Sequence, residues 1–244
     1  MNESFCRSCF YPTSHPLGLS LNEDGICRGC EVHQEKFTLD WCLRAKKLED
    51  FTAPFRSNSP NYYDCIIPVN GGGDSFYLVH YVKDILKLNP LCVAYNSLYM
   101  TRIGHRNLAT LRKVFNVDIH MHTPSRQQVI ALTKTTLYHL QSMYWHVHAG
   151  TTSLPVKLAI KYKIPLIIWG SHEATEQVGM YKHTDEVEMT RRYRHNHHLM
   201  GFEVDDLEKL DPSLMQFNNS VYRYPSYTDI QKNGIRGIYL SNYI

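Results

Sequence analysis

A chain of 244 residues, 43% apolar and 20% charged, is long enough to bury a full core and polar enough to stay in solution. A net charge of +3, with no basic run interleaved with aromatics, speaks against a nucleic-acid partner. No run approaches the roughly 18 apolar residues of a membrane span. The start, Met1-Asn2-Glu3-Ser4-Phe5-Cys6, carries no basic-then-apolar leader, so the cytoplasm is the expected compartment.

The seven cysteines divide unequally. Cys6-x2-Cys9 and Cys27-x2-Cys30 form two knuckles with the spacing of a four-thiolate structural zinc site, each supplying two sulfurs to a tetrahedral ion. A disulfide pair or a redox C-x-x-C is the weaker reading, because there are two knuckles and neither follows a βαβ pattern. Cys42, Cys65 and Cys92 stand alone, and the last two lie in apolar runs as small core residues. Pro12, Pro16, Gly18, Gly25 and Gly29 punctuate a zinc-binding module over 1–34, with a turn at Asn22-Glu23-Asp24-Gly25. Residues 35–60 read as an amphipathic helix between Phe37 and Phe51, then a linker at Ser57-Asn58-Ser59-Pro60-Asn61.

One stretch organises the rest of the chain. Asp64-Cys65-Ile66-Ile67-Pro68-Val69 is an apolar run of strand length, and it meets Asn70-Gly71-Gly72-Gly73-Asp74-Ser75 before apolar residues recur at helical spacing. Successive glycines let several backbone N–H groups converge, and the helix adds its unpaired N-terminal donors and positive dipole end. The pattern reads as a phosphate cradle first and as a plain connecting turn second, because a triple glycine costs entropy that a two-residue turn would avoid. It is neither G-x-x-x-x-G-K-[ST], which needs a lysine, nor G-x-G-x-x-G, which fails at Phe76.

Strand-like and helix-like segments then alternate, which predicts a parallel sheet with crossover helices over 61–180. The expected elements are strands at 63–69, 91–95, 117–122 and 164–169, and helices at 75–88, 104–115, 126–143 and 153–162. Pro155 would fall in the first turn of the last helix, with Thr151 to Ser153 as its cap. Ligands of open α/β sheets bind beyond the carboxyl ends of the strands, which singles out 70–75, Tyr95-Asn96-Ser97 and Gly170-Ser171-His172-Glu173. Trp145 to Thr152 is a further candidate for that crevice, with packed histidines at 146 and 148 as the alternative. Residues 181–244 begin a C-terminal region. A helix over 185–200 would carry Arg191, Arg192, Arg194, His195, His197 and His198, read as a solvated basic face or, second, as a contact for an anion. The chain is apolar right up to Ile244, and the expectation is that the polypeptide continues.

With these residues laid out, the chain resembles the N-acetyl sugar amidotransferases, the PP-loop enzymes of pseudaminic acid, legionaminic acid and O-antigen biosynthesis. The likeness runs through the paired cysteines around Asn22-Glu23-Asp24-Gly25-Ile26-Cys27, the loop 70–75, Leu88-Asn89-Pro90, Gly104-x2-Asn107-Leu108, and Leu154 through Gly170. Tyr193-Arg194 and Gly234 through Leu240 also look like family segments. Such loops usually open with serine, S-G-G-x-D-S, and here that position is Asn70.

The resemblance implies a Rossmann-like PP-loop parallel sheet with flanking helices, preceded by a zinc-ribbon-like module. It also implies ATP and Mg²⁺, beside structural Zn²⁺. Gly71, Gly72 and Gly73 would face the leaving pyrophosphate, Asp74 would hold Mg²⁺ and Ser75 would bond a phosphate oxygen, with Asn70, Tyr95, Asn96, Gly170 and His172 around the nucleotide. The acceptor would be an N-acetyl sugar or sugar nucleotide. Ammonia would come from glutaminase subunits similar to those of imidazole glycerol phosphate synthase. Two other readings stay open: a PP-loop enzyme of tRNA thiolation, weakened because no cysteine follows Cys92, and an inactive relative that only binds nucleotide.

Overall fold

The computed structural model describes residues 4–15, 18–57, 59 and 61–244. Outside them lie Met1 to Glu3, Pro16 and Leu17, and Asn58 and Pro60, and with them the start of the N-terminal module, the punctuation at Pro16 and part of the linker. Two compact units emerge. One comprises Met1–Phe51, Trp169–Glu188 and Tyr239–Ile244, and the other Thr52–Ile168 and Met189–Ile238.

The first unit holds α1 (Arg28–Glu35), α2 (Trp41–Thr52) and the single turn α7 (Glu173–Glu176). Asn22 builds the tight turn that returns the chain toward α1, its Oδ1 accepting from the N–H groups of Asp24 and Ile26. Gly25 completes that turn at φ +72°. The Arg44 guanidinium is buried and donates to the carbonyls of Asn242 and His183, so a cation ties three stretches of this unit together.

The second unit is built on the sheet. Its strands are β1 (Cys65–Pro68), β2 (Pro90–Tyr95), β3 (Asp118–His122), β4 (Leu166–Trp169) and β5 (Arg236–Tyr239), in the spatial order β3-β2-β1-β4-β5. The ladders of β1 with β2, β2 with β3 and β1 with β4 are parallel. This is the Rossmann-like order, reversing at β1. Cys65, Ile66 and Ile67 in β1 and Leu166, Ile167 and Ile168 in β4 are fully buried, as strands covered on both faces must be. Cys65 and Cys92 are core residues as expected, and burial pushes both thiols well above the ordinary range, Cys92 to about 12. β3 is an edge strand and correspondingly more exposed.

The crossover helices are α3 (Gly73–His80), α4 (Arg102–Phe115), α5 (Arg126–Leu140) and α6 (Trp145–Tyr162). After β4 the short helices α8 (Arg191–Tyr193), α9 (Val204–Leu210) and α10 (Tyr227–Lys232) lead back to β5. No helix of the described residues is long and apolar enough to cross a membrane.

Four expectations are corrected. The helix after the glycines starts at Gly73 rather than 75 and passes at Tyr81 into a five-residue π turn ending at Ile85. The helix expected to 143 stops at Leu140, where Gln141 turns left-handed. The helix expected from 153 begins at Trp145, with Pro155 in its interior. Burial of Trp145, His146 and Ala149 extends it backward, and the hydroxyls of Thr151 and Thr152 bond back to the carbonyls of Val147 and His148 instead of capping. The helix expected over 185–200 is broken into a 3-10 turn, α8 and a π turn.

Candidate functional site

β1 delivers the chain to the point where the strand order reverses, and Asn70 to Asp74 turn it into α3. Gly71 sits at φ +80°, and a Cβ there would stand 2.7 Å from the carbonyl oxygen of Gly104 in the first turn of α4. A side chain is resisted both by that contact and by the positive φ. Asn107 donates from Nδ2 to the Gly71 carbonyl at 3.1 Å, which fixes the loop from outside. That explains the Gly104-x2-Asn107 spacing as loop support, a role the sequence alone did not disclose.

Asn70 closes the loop from within. Its Oδ1 accepts from Gly72 N–H and from the Ser75 hydroxyl, both at 2.9 Å, while Ser75 Oγ accepts from Asn70 N–H at 3.0 Å. Asn70 therefore uses its carbonyl oxygen and not its amide donor. Gly73 and Asp74 remain exposed, their N–H groups and the Asp74 carboxylate find no partner among the described residues, and a Cβ at Gly73 would meet nothing within 4 Å. A helix N-terminus with free donors, open space above it and a lone carboxylate can receive an anion with its cation.

Tyr95 and Asn96, at the carboxyl end of β2, are buried. The Tyr95 hydroxyl lies 3.1 Å from His146 Nδ1 and 2.9 Å from the Tyr222 hydroxyl, and its ring occupies the space left by Gly150, where a Cβ would be 2.4 Å away. Burial, helped by Tyr222, raises the Tyr95 hydroxyl far above its usual range. Burial, and secondarily His148, lowers His146 to about 4, so the imidazole is neutral and packed. Asn96 turns the chain after β2, accepting from Leu98 N–H and donating to Thr123.

The basic cluster is corrected at one position. Arg194 is 3% exposed and not part of a solvated face: Nη1 makes a bidentate pair with Glu203, Nε donates to Thr152 and Nη2 to the Tyr222 carbonyl. Arg191 and Arg192 are exposed.

In the other unit, Gly170 accepts at its carbonyl from Ser241 N–H. His172 caps α7 by accepting from Thr175 N–H, and its buried ring meets Tyr239 edge-on at 4.4 Å. The same unit gathers Cys6, Cys9, Cys27 and Cys30, whose sulfurs all lie within 4.8 Å of one another. Cys6 and Cys30 are 3.9 Å apart and Cys9 and Cys27 3.6 Å. A single tetrahedral ion with bonds of about 2.3 Å would set sulfurs about 3.8 Å apart, so the donor set fits one metal ion. The N–H groups of Ser8 and Cys27 point at Cys6 Sγ, and that of Cys30 at Cys27 Sγ. For Cys6, burial opposes ionisation but the N–H groups win and hold it at about 6; for Cys27, burial leads and the thiol is pushed up to about 12.

Fold and site together define a Rossmann-like α/β protein with a glycine-rich loop at the reversal of its strand order and a cluster of four cysteines spaced so that they could hold a metal ion. No protein-family model matches the chain. An uncharacterized protein of Methanocaldococcus jannaschii is 25% identical over 114 residues, 47% of this chain, and the match spans 40% of that protein's length. Among solved structures, the NH3-dependent NAD synthetase of Campylobacter jejuni overlaps with 16% identity and a TM-score of 0.45, covering 80% of this chain and 94% of that one. The NMN synthetase of Francisella tularensis gives 13% identity and 0.43, covering 79% and 77%. The U34-tRNA thiolase NcsA of Methanococcus maripaludis, with its [4Fe-4S] cluster, gives 12% and 0.35, covering 96% and 80%.

Proposed function

We propose that this chain is a PP-loop enzyme that uses Mg-ATP to activate the acetamido group of an N-acetyl sugar or sugar nucleotide for replacement of its oxygen by nitrogen. The observation that carries the nucleotide part is the loop itself: free N–H groups at Gly73 and Asp74, open space above Gly73, and an unpaired Asp74 carboxylate at the start of α3. The sugar part rests on the family likeness of the sequence motifs.

In this reading the loop amides and the dipole end of α3 hold the pyrophosphate, and Asp74 holds the Mg²⁺ that neutralises it. The acetamido oxygen attacks the α-phosphorus, the bond to the bridging oxygen breaks, and pyrophosphate leaves. Ammonia then adds to the imidate carbon and AMP departs with the former acetamido oxygen, leaving an acetamidino group and a released proton. The chain contributes position and charge and no covalent nucleophile. Ammonia arrives from a separate glutaminase partner. The four thiolates hold a structural zinc.

A tRNA-thiolation reading would need a thiol beside the loop. Cys65 and Cys92 are buried in strands with raised pKa values, which counts against either as that thiol.

Calorimetric titration with Mg-ATP tests the loop: Asp74→Ala is expected to lose binding, and unchanged affinity would remove the loop from the reaction. Incubation with ATP, ammonia and candidate N-acetyl sugars is expected to release AMP and pyrophosphate in equal amounts. Sulfur incorporation into tRNA, with no sugar-dependent AMP, would select the other reading. About one zinc per chain is expected on purification, with Cys27→Ser less stable.

A further inference from the structure

The metal module is not closed by the residues that hold the metal. Its apolar interior, Cys6, Leu19 and Cys27, is completed by Val178, which is 2% exposed, with Met180 packed beside it. Backbone meets backbone at two points. A Cβ at Gly29 would stand 2.5 Å from the carbonyl oxygen of Gln177, and one at Gly179 2.4 Å from that of Arg28. Gly179 also takes φ +62°, which a side chain resists. Polar ties extend the seam: Lys36 pairs with Glu176, and His183, itself buried, donates its backbone N–H to Glu35 at 3.2 Å.

The segment held in this way begins where β4 ends, at the carboxyl end of a parallel strand, where open α/β sheets carry their ligand loops. It contains the four-residue α7, which His172 caps. A helix of one turn has no stability of its own, so its order comes from what it packs against. What it packs against is a module of a few dozen residues whose own folding depends on metal.

We propose that the four-thiolate metal site is the folding template of residues 173–183, so that metal occupancy governs the order of the loop that leaves β4. The proposal rests on the metal reading of the four cysteines and can fail separately from it. Coupling of this kind is reciprocal: whatever loosens 173–183 also weakens metal retention.

Amide hydrogen exchange on the whole 244-residue chain, with and without metal stripping by a chelator and with metal content measured in parallel, is the test. Stripping is expected to speed exchange across 173–183 by tenfold or more while the β1 and β2 amides stay protected. In the reverse direction, Gly179→Ala in the metal-loaded protein is expected to release metal to a chromogenic chelator roughly tenfold faster, whereas Tyr138→Ala, at an 82% exposed position on α5, releases it at the native rate. Confirmed metal loss with unchanged protection at 173–183 overturns the proposal alone. Exchange that rises equally in β1 and β2 also overturns it, because the metal would then stabilise the whole chain. A chain that never binds metal overturns both this proposal and the zinc reading. Should Gly179→Ala fail to fold, the wild-type exchange experiment still decides.

Discussion

The side-chain carbonyl of Asn70 accepts the Ser75 hydroxyl at 2.9 Å, and the same oxygen takes the Gly72 N–H. A loop shaped to give its donors to an anion here gives two of them to its own first residue. A bound phosphate oxygen would compete with Asn70 Oδ1 for both. Asn70→Ser removes that competitor while keeping a small polar side chain, so tighter Mg-ATP binding is expected. With a net hydrogen bond worth about 0.5–1.5 kcal/mol, the dissociation constant should fall roughly 3- to 10-fold. Calorimetry with the two proteins side by side checks this, and an unchanged or weaker constant would show that Asn70 takes no donors from the ligand.

Gly71 and Gly73 are adjacent in type but not in role. At Gly71 the positive φ and the nearby Gly104 carbonyl both resist a side chain, so Gly71→Ala is expected to lower stability by about 1–3 kcal/mol. At Gly73 a Cβ meets nothing, so Gly73→Ala should fold at least as stably as the native chain, gaining up to about 1 kcal/mol. A methyl there would nonetheless stand in the space an anion must enter. Denaturation and nucleotide titration of both variants should therefore separate: Gly71→Ala loses stability, whereas Gly73→Ala loses affinity. The reverse pattern would refute the assignment of the open face to the ligand.

These contrasts mark what a sequence can and cannot disclose. The cysteine knuckles and the strand expected over 63–69 are local patterns: the four sulfurs do gather, and the strand forms over the shorter Cys65–Pro68. The glycine loop is legible as a turn but not as a division of labour, because the difference between Gly71 and Gly73 is made by Gly104, more than thirty residues on. The start of α6 is disguised, since Thr151, Thr152 and Pro155 imitate a helix beginning, and only burial of Trp145 and His146 shows the turns before them. The closing of the metal module by Val178 has no local trace at all.

Arg194 stands in the sequence among exposed basic residues, yet it is the hub that joins Thr152 of α6, Glu203 before α9 and the Tyr222 carbonyl. Arg194→Met takes the bidentate guanidinium from the half-buried Glu203 carboxylate, which keeps only His195 Nδ1 at 3.5 Å and the Asp206 N–H. A loss of about 3–5 kcal/mol is expected, as for other buried pairs broken on one side. The double variant Arg194→Met with Glu203→Gln should recover part of it, because the uncompensated charge is gone. Urea denaturation of the three proteins measures both, and a single variant within about 1 kcal/mol of the native chain would place Arg194 outside the core.

His146 supplies a pH dependence whose sign is fixed by its surroundings. It is enclosed by the hydroxyls of Tyr95 and Tyr99, with His148 the nearby charge on its own helix, and burial holds it neutral to about pH 4. The unfolded chain binds its proton near pH 6.5. Between these values the unfolded state carries the extra proton, so stability rises with pH through this window, is fully present above about 6.5 and is lost as pH falls toward 4. The shift corresponds to roughly 3 kcal/mol. His146→Gln cannot titrate, and its stability, whatever its level at pH 7, should fall less steeply between pH 6.5 and 4.5 than that of the native chain. Comparing slopes rather than levels removes contributions common to both proteins, including acid release of the metal. Equal slopes would mean that His146 is free to accept a proton in the folded state.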